Sequence, residues 1–449
     1  MTKLQEFIGY TNSFVWGPVM LVFLVGTGVL LTLRLRGIQL RCLPEGLRLV
    51  FSGREVSDAA GDISSFQALT TALAATIGTG NIAGVATALY LGGPGAIFWM
   101  WVCAVFGMAT KFAEAVLAVH FRRHLPDGTM QGGPMRYLSE GLGLPWLGML
   151  FALMGSIAAF GIGSMVQSNS VAVALEATFS VPPAFTGVAL GLLCALVILG
   201  GIRRIGRVTE KMVPLMALVY VVAALIALGF NVEAVPAALK MIFTHAFTPA
   251  AGSGGFAGAS VAMAIRFGVA RGVFSNEAGL GSAPIAHAAA RTNSPVRQGL
   301  VAMTGVFFDT IIVCSLTALV ILTSGVWDGG EQSSALTALA FETAIPGFGA
   351  IFVTFGLVVF AYSTMLGWAY YGEQCIEYVF GIRARTPYRF LFCGVITWGA
   401  LQKVGFVWDI SDTMNGAMAI PNLIGLVGLS GLVVRLTRQH FSQGERARE

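Results

Sequence analysis

The chain has 449 residues, 56% of them hydrophobic and only 11% charged, with a net charge of +5. A soluble domain carries about 25% charged residues, so the composition excludes an ordinary soluble protein and predicts an all-α integral membrane protein. The excess positive charge falls in clusters between apolar stretches, which is a topology signal rather than a sign of nucleic-acid binding.

A helix crosses a hydrocarbon core of roughly 30 Å with about 20 apolar residues. Eleven segments meet that need: 14–33, 66–90, 95–119, 146–175, 185–200, 212–230, 257–288, 298–324, 346–372, 389–407 and 413–434. Before the first stand Lys3 and Glu6, and after it Arg34, Arg36, Arg41, Arg48 and Arg54, so the positive-inside rule predicts an external N-terminus. With no small-residue cleavage site behind it, this segment reads as an uncleaved span. Counting onward puts Arg122, Arg123 and Arg136, then Arg203, Arg204, Arg207 and Lys211, then Arg291 and Arg297 on the cytoplasmic side. Arg383, Arg385 and Arg389 follow there, as do Arg435, Arg438, Arg446 and Arg448, so the C-terminus is expected inside. The six cysteines form no C-x-x-C pair and the five histidines lack ligand spacing, so neither a disulfide framework nor a metal cofactor is expected.

Two of these segments carry the same pattern, GTGNIAG at 78–84 and SNEAG at 275–279, each with Asn-x-Ala-Gly. With the first span set aside, ten remain, and each motif opens a set of five. Five is odd, so the second set enters the membrane in the opposite sense, as in the inverted repeats of secondary transporters. The predicted division is an extra N-terminal helix and linker (1–60), a first repeat (61–235), a second repeat (236–437) and a polar tail (438–449). Glycine costs about 1 kcal/mol relative to alanine in a helix, and Gly78, Gly80 and Gly84 weaken one depth of the second segment. Unwinding there frees backbone groups that lipid cannot satisfy. Freed amides at a half-helix N-terminus suit an anion and freed carbonyls suit a small cation, a combination that an amino acid plus Na⁺ would match. Gly80-x-x-x-Gly84 and Ser275-x-x-x-Gly279 also read as small-x-x-x-small helix contacts, which leaves Thr79, Asn81, Asn276 and Glu277 at membrane depth unexplained.

Other polar residues inside spans need partners. Gln167 and Asn169 in GIGSMVQSNS either bond neighbouring helices or line a cavity. Asp309 in GVFFDTIIV and Glu277 are each expected to meet a cation, Na⁺ or one of Arg266 and Arg271, or to be protonated. Lys111 and Glu114 stand at i and i+3 and are expected to pair. No H-E-x-x-H or G-x-S-x-G is present, so an enzyme is not expected. A channel with a glycine-lined filter is the rival to a transporter.

GGPGAIFWMWVCAVFG (92–107), GMATKFAEAVLAV (107–119), FSNEAGLGSAPIAHAAA (274–290) and AYSTMLGWAYYGEQ (361–374) resemble the alanine or glycine:cation symporter family over residues 60 to 435. The resemblance implies the amino acid–polyamine–organocation fold shared with neurotransmitter:sodium symporters, with eleven helices in a 5+5 inverted repeat and discontinuous first and sixth core helices. It also implies a bacterial inner membrane, Na⁺ as coupling ion, no other cofactor, and L-alanine, glycine or D-alanine as substrate; proton-coupled or uncoupled transport of another small amino acid is the alternative. By the same resemblance the amides around Thr79 and Gly80 would hold the substrate carboxylate, with Asn81 lining the substrate or a first sodium site. Ala74 and Ile77 carbonyls with Ser363 and Thr364 hydroxyls would form a sodium site, to which Asn81 and Asp309 are further candidates. Gln167, Asn169, Asn276 and Thr364 would contact substrate, and Phe274 and Trp368 would wall its pocket. The sequence departs from the family pattern at Arg136 in GGPMRYL.

Overall fold

The computed structural model describes residues 10–11, 15–52, 59–252 and 256–446. Lys3, Glu6, Arg54 and Arg448, which enter the predicted charge asymmetry, lie outside the described residues. Among those described, the regular elements are helices except for one hairpin, β1 (Arg123–His124) paired antiparallel with β2 (Met130–Gln131). Helices keep backbone hydrogen bonds within the segment, which is what a lipid solvent demands.

α1 (Pro18–Arg34) begins on a proline, whose missing N–H is no loss in a first turn, and ends on Arg34. Two short helices, α2 (Ile38–Arg41) and α3 (Leu43–Phe51), follow. The next predicted span is two pieces. α4 (Ser65–Thr76) starts with a capping box: Gln67 N donates to Ser64 Oγ, and Ser64 N donates to Gln67 Oε1. Helix geometry stops at Ile77, whose backbone is extended. It resumes as a wide, π-type turn at Gly80–Gly84 and continues as α5 (Val85–Gly92), bent by 51° from α4. α6 (Gly95–His120) follows, then a short π-type turn (Tyr137–Gly141), α7 (Pro145–Phe160), a third π-type turn (Gly161–Met165), α8 (Val166–Phe179), α9 (Pro183–Ile198) and α10 (Gly201–Phe230).

In the second half, α11 (Val261–Asn276) stops at its asparagine. Glu277, Gly279 and Gly281 all take the left-handed backbone (φ 57°, 90° and 81°) before α12 (Ala283–Ala288). α13 (Pro295–Val306) passes through a fourth π-type turn, Phe307–Cys314, into α14 (Ser315–Thr323). The chain closes with α15 (Ser333–Ala344), α16 (Gly349–Phe380), α17 (Arg385–Ala400) and α18 (Val404–Arg446).

Among the described residues six helical runs can by length and composition cross a membrane: Gly95–His120, Pro145–Phe179, Gly201–Phe230, Pro295–Thr323, Gly349–Phe380 and Val407–Gln443; the bent pair α4–α5 brings them to seven. The predicted segments 14–33 and 185–200 are occupied by the shorter apolar helices α1 and α9, and 389–407 by α17. The segment 257–288 holds α11 and α12 with the break between them. α10 begins well before the predicted 212, because the cluster Arg203–Lys211 is built into the helix; arginine and lysine are good helix formers that end a hydropathy stretch without ending a helix. In the interior α6 packs against α11 and α13, while α4 lies between α10 and α16. That packing carries the two broken helices to one place.

Candidate functional site

The first break presents carbonyl oxygens to α16. Ser363 Oγ donates toward Ala74 O at 3.2 Å and Ile77 O at 3.4 Å, and Thr364 Oγ1 toward Ala74 O at 3.1 Å. Both hydroxyls also reach Phe360 O one turn back, at 2.8 and 3.1 Å, the ordinary habit of such residues in helices. Two carbonyls and two hydroxyls therefore converge, all neutral and all oxygen, the donor type that a hard alkali cation prefers. Gly78 makes this approach possible: a Cβ built on it would stand 2.3 Å from Thr364 Oγ1.

The two Asn-x-Ala-Gly motifs use their asparagines alike. Asn81 Oδ1 accepts from Gly78 N at 2.9 Å, and Asn276 Oδ1 accepts from Ala278 N at 2.9 Å, so each side chain satisfies an amide freed by its own break. Each amide nitrogen then turns to the π-type turn after α13: Asn81 Nδ2 donates to Asp309 Oδ1 at 2.7 Å, and Asn276 Nδ2 to Thr310 Oγ1 at 3.1 Å. Ser275 Oγ reaches both Asp309 oxygens (3.1 and 2.9 Å), and Thr310 Oγ1 donates to Oδ2 at 2.7 Å. Asp309 is thus the knot between the two breaks. Of the partners expected for it, neither Arg266 nor Arg271 pairs with it among the described residues: neutral donors from Asn81, Ser275 and Thr310 surround it, and Arg271 pairs with Asp412 instead.

Two further carboxylates support the second break. Glu277 accepts from Ser282 Oγ at 2.6 Å and from Trp368 Nε1 at 2.7 Å. Glu114 Oε1 accepts from Gly279 N and Gly281 N, each at 3.1 Å, and from Asn422 Nδ2 at 2.7 Å. The expected pairing of Lys111 with Glu114 is not a hydrogen bond here. Amides freed inside a membrane have no water to turn to, and they take Glu114 Oε1, while Glu114 Oε2 and Lys111 Nζ are both buried without a hydrogen-bond partner among the described residues. It lies within electrostatic range of Glu114, Glu277 and Asp309.

One turn before the second break, Phe274 stacks on Trp408 (centroids 5.1 Å apart), and the Arg271 guanidinium lies over both rings while bonding Asp412. Phe274 also faces the first break, 3.3 Å from where a Cβ on Gly80 would stand. Gln167, which follows the π-type turn Gly161–Met165, accepts from Thr79 N at 3.4 Å and donates to Ile162 O at 2.9 Å. Thr79 Oγ1 and Ser164 Oγ are buried with no hydrogen-bond partner among the described residues.

The structure so brings together Ala74, Ile77, Thr79, Gly80, Asn81, Gln167, Phe274, Asn276, Asp309, Ser363 and Thr364. It places Trp368 under the second break, bonded to Glu277, rather than across from Phe274. Asn169 is elsewhere: its amide donates to the carbonyls of Gly399 and Gln402 at the end of α17, a helix-to-helix tie. Arg136 sits outside the cluster, bonded to Gln131 and Glu140. Sequence reasoning passed over Ser275 and Thr310, although each adjoins a residue it chose. It also passed over Asn422 and the pair Trp408–Asp412, whose only signal is polarity inside an apolar stretch. All the clustered residues are at most 4% exposed, so the site is closed on both sides.

Two broken helices whose freed carbonyls and amides meet in one buried cluster are the arrangement of a polytopic membrane transporter. The solved structure of MhsT in complex with L-phenylalanine shares this fold, with a TM-score of 0.58 at 15% identity over 86% of this chain and 90% of that one. The family model for the sodium:alanine symporter family matches residues 1–449, and the chain belongs to that family. Among its relatives, the sodium/alanine symporter AgcS of Methanococcus maripaludis is 55% identical over 96% of both chains. The probable sodium/glutamine symporter GlnT of Bacillus subtilis is 36% identical over 98% of this chain and 91% of its own. The protein is accordingly a multi-pass membrane transporter coupled to Na⁺, and not an enzyme.

Proposed function

We propose that the protein imports alanine or glycine with Na⁺ by alternating access, from an external N-terminus side to a cytoplasmic C-terminus side, on a 5+5 inverted repeat of ten core helices preceded by α1. The reading rests above all on the four oxygens of Ala74, Ile77, Ser363 and Thr364, which meet where the first helix breaks. Na⁺ is held there, with the substrate beside it. Its carboxylate meets the amides around Thr79 and Gly80, and Thr79 Oγ1, buried and unpartnered among the described residues, gains a partner when substrate binds. Gln167, Asn81 and Asn276 line this space, while D-alanine is accepted only as far as Phe274 leaves room.

The closed state seen here is one stage of that cycle. Phe274, Trp408 and the Arg271–Asp412 ion pair form the barrier on the face where α11 begins, which the basic clusters assign to the outside. Opening it separates α11 from α18. The substrate is small because Phe274 abuts Gly80, which favours alanine over the glutamine in the name of GlnT.

The test is uptake of labelled alanine into liposomes, with an inward Na⁺ gradient or with K⁺ in its place. Saturable accumulation that needs the gradient is expected, and Ser363→Ala raises the Na⁺ concentration for half-maximal uptake by about tenfold, the loss of one good ligand. Equal uptake in Na⁺ and K⁺ overturns the coupling, and an unaltered Na⁺ dependence in Ser363→Ala overturns the site.

A further inference from the structure

At one end of the seam between α1 and α18 lies a cavity of about 320 Å³ that takes no part in the transport site. Four arginines turn into it: Arg34 from the end of α1, Arg36 from the left-handed corner that follows, Arg41 from α2, and Arg438 from α18. Ser442 adds a hydroxyl, and Phe441 belongs to an apolar floor. Arg123, Arg136, Arg271, Arg385 and Arg389 each find a carboxylate, whereas among the described residues none of these four does. Arg34 donates to Ser430 Oγ and Arg41 to the carbonyl of Arg36, which leaves most of the guanidinium donors unused. Four like charges in one cavity repel each other, and an anion relieves that repulsion.

A second cavity identifies the kind of anion. Along the same seam runs an apolar groove of about 380 Å³, lined by Val19, Val22, Phe23, Gly26 and Leu30 of α1 and by Val427 of α18. At 1.5 Å per residue, these α1 positions lie roughly 6 to 22 Å below Arg34. One leaflet of hydrocarbon is about 15 Å deep, so the groove lies where an acyl chain descends from a head group held at Arg34. Val19 and Val22 are 84% and 71% exposed, as a lipid-facing wall requires.

We propose that this seam is a binding site for an anionic phospholipid, its phosphate bound by Arg36, Arg41 and Arg438 and one acyl chain lying in the groove of α1. Planar guanidinium groups pair with phosphate oxygens two at a time, and basic pockets between helices at the head-group level are a recurrent home for anionic lipids. The lipid fastens α1 to α18, the helix that also carries Trp408 and Asp412. The inference needs only that the chain spans a membrane and stands whichever substrate is carried.

The experiment uses the full-length protein in mild detergent and follows its thermal midpoint against added phosphatidylglycerol, phosphatidylcholine or inorganic phosphate. Phosphatidylglycerol is expected to raise the midpoint more than phosphatidylcholine. The double variant Arg36→Gln/Arg438→Gln should need about tenfold more phosphatidylglycerol for the same shift, and Gly26→Leu, placed where a side chain meets no neighbour within 4 Å, should weaken it by filling the groove. Arg36→Lys/Arg438→Lys keeps the charge while losing two-point contact, and each variant is first checked for a single peak on size exclusion. Equal stabilisation by the two lipids overturns the site. So does an equal loss in Arg203→Gln/Arg383→Gln, which removes two arginines from the same predicted face. Stabilisation by inorganic phosphate that matches phosphatidylglycerol and ignores Gly26→Leu overturns the lipid assignment in favour of a soluble anion.

Discussion

At the scale of single residues the closest constraint is Gly78. Replacing it by alanine sets a methyl group 2.3 Å from Thr364 Oγ1, so the threonine must leave the carbonyls it faces. Gly78→Ala is therefore expected to reach the membrane in normal amount and to lose at least about tenfold in Na⁺-driven uptake, the scale of one lost ligand; surface abundance and transport measured together decide it. Phe274 makes the complementary case. An extra methylene in an apolar pocket alters binding by only about 1–3 kcal/mol, so a site for alanine excludes larger side chains by bulk. Phe274→Ala should then let glutamine or methionine compete for alanine uptake, and competition no stronger than in the parent protein removes Phe274 from the selectivity wall. The asparagines and hydroxyls at these positions were legible in the sequence because polarity at membrane depth demands a reason. What Asp309 and Glu114 do was not, since apart from the adjacent Thr310 the partners of Asp309 lie 34 and 228 residues away in sequence, and the amides bonded to Glu114 lie 165 and 167 away.

The same limit appears among the elements. Both broken helices were readable from glycine and asparagine, whereas the π-type turns at Gly161–Met165 and Phe307–Cys314 were not. The first has two glycines as a trace, and the second has only Asp309 and Thr310 in an otherwise apolar run. Wide turns of this kind cluster at functional sites, and here they aim Gln167 and Asp309 at the breaks. The hairpin β1–β2 was equally invisible, being too short to show alternation. It is held by Arg385, which donates to Asp127 Oδ2 at 2.6 Å, to Thr129 Oγ1 at 2.9 Å and to both oxygens of Glu377 at 2.7 Å. Burial alone would raise the carboxyl of Asp127, but hydrogen bonds from Thr129 and Arg385 outweigh it and hold its pKa below the ordinary 3.8. A carboxyl whose folded pKa is depressed adds stability above its unfolded value and gives it up as pH falls through the folded value. Asp127→Asn should therefore lower the thermal midpoint in detergent near neutral pH, and the gap to the parent should close below about pH 4. A gap independent of pH would mean that the charge on Asp127 plays no part in holding the hairpin.

For the whole molecule the question is how much charge crosses with each substrate. The oxygens at Ala74, Ile77, Ser363 and Thr364 are all neutral, so Na⁺ at the proposed site brings an uncompensated positive charge into the protein. Alanine enters as a zwitterion of no net charge. The buried carboxylates are bonded into the scaffold and so are not placed to travel with the ion: Asp309 to both breaks, Glu277 to Ser282 and Trp368, Glu114 to the amides of Gly279 and Gly281. A single Na⁺ per substrate then moves one net charge inward. Moving one charge through 100 mV is worth about 2.3 kcal/mol, which alone concentrates alanine roughly fiftyfold. Liposomes with equal Na⁺ on both sides isolate this contribution when a K⁺ diffusion potential, negative inside, is set with an ionophore. Alanine should accumulate under that potential and leave when its sign is reversed, with a plateau that rises tenfold for every 60 mV or so. A plateau rising twice as steeply would assign two Na⁺ to each substrate, and no response to voltage would overturn the inward transfer of a net charge.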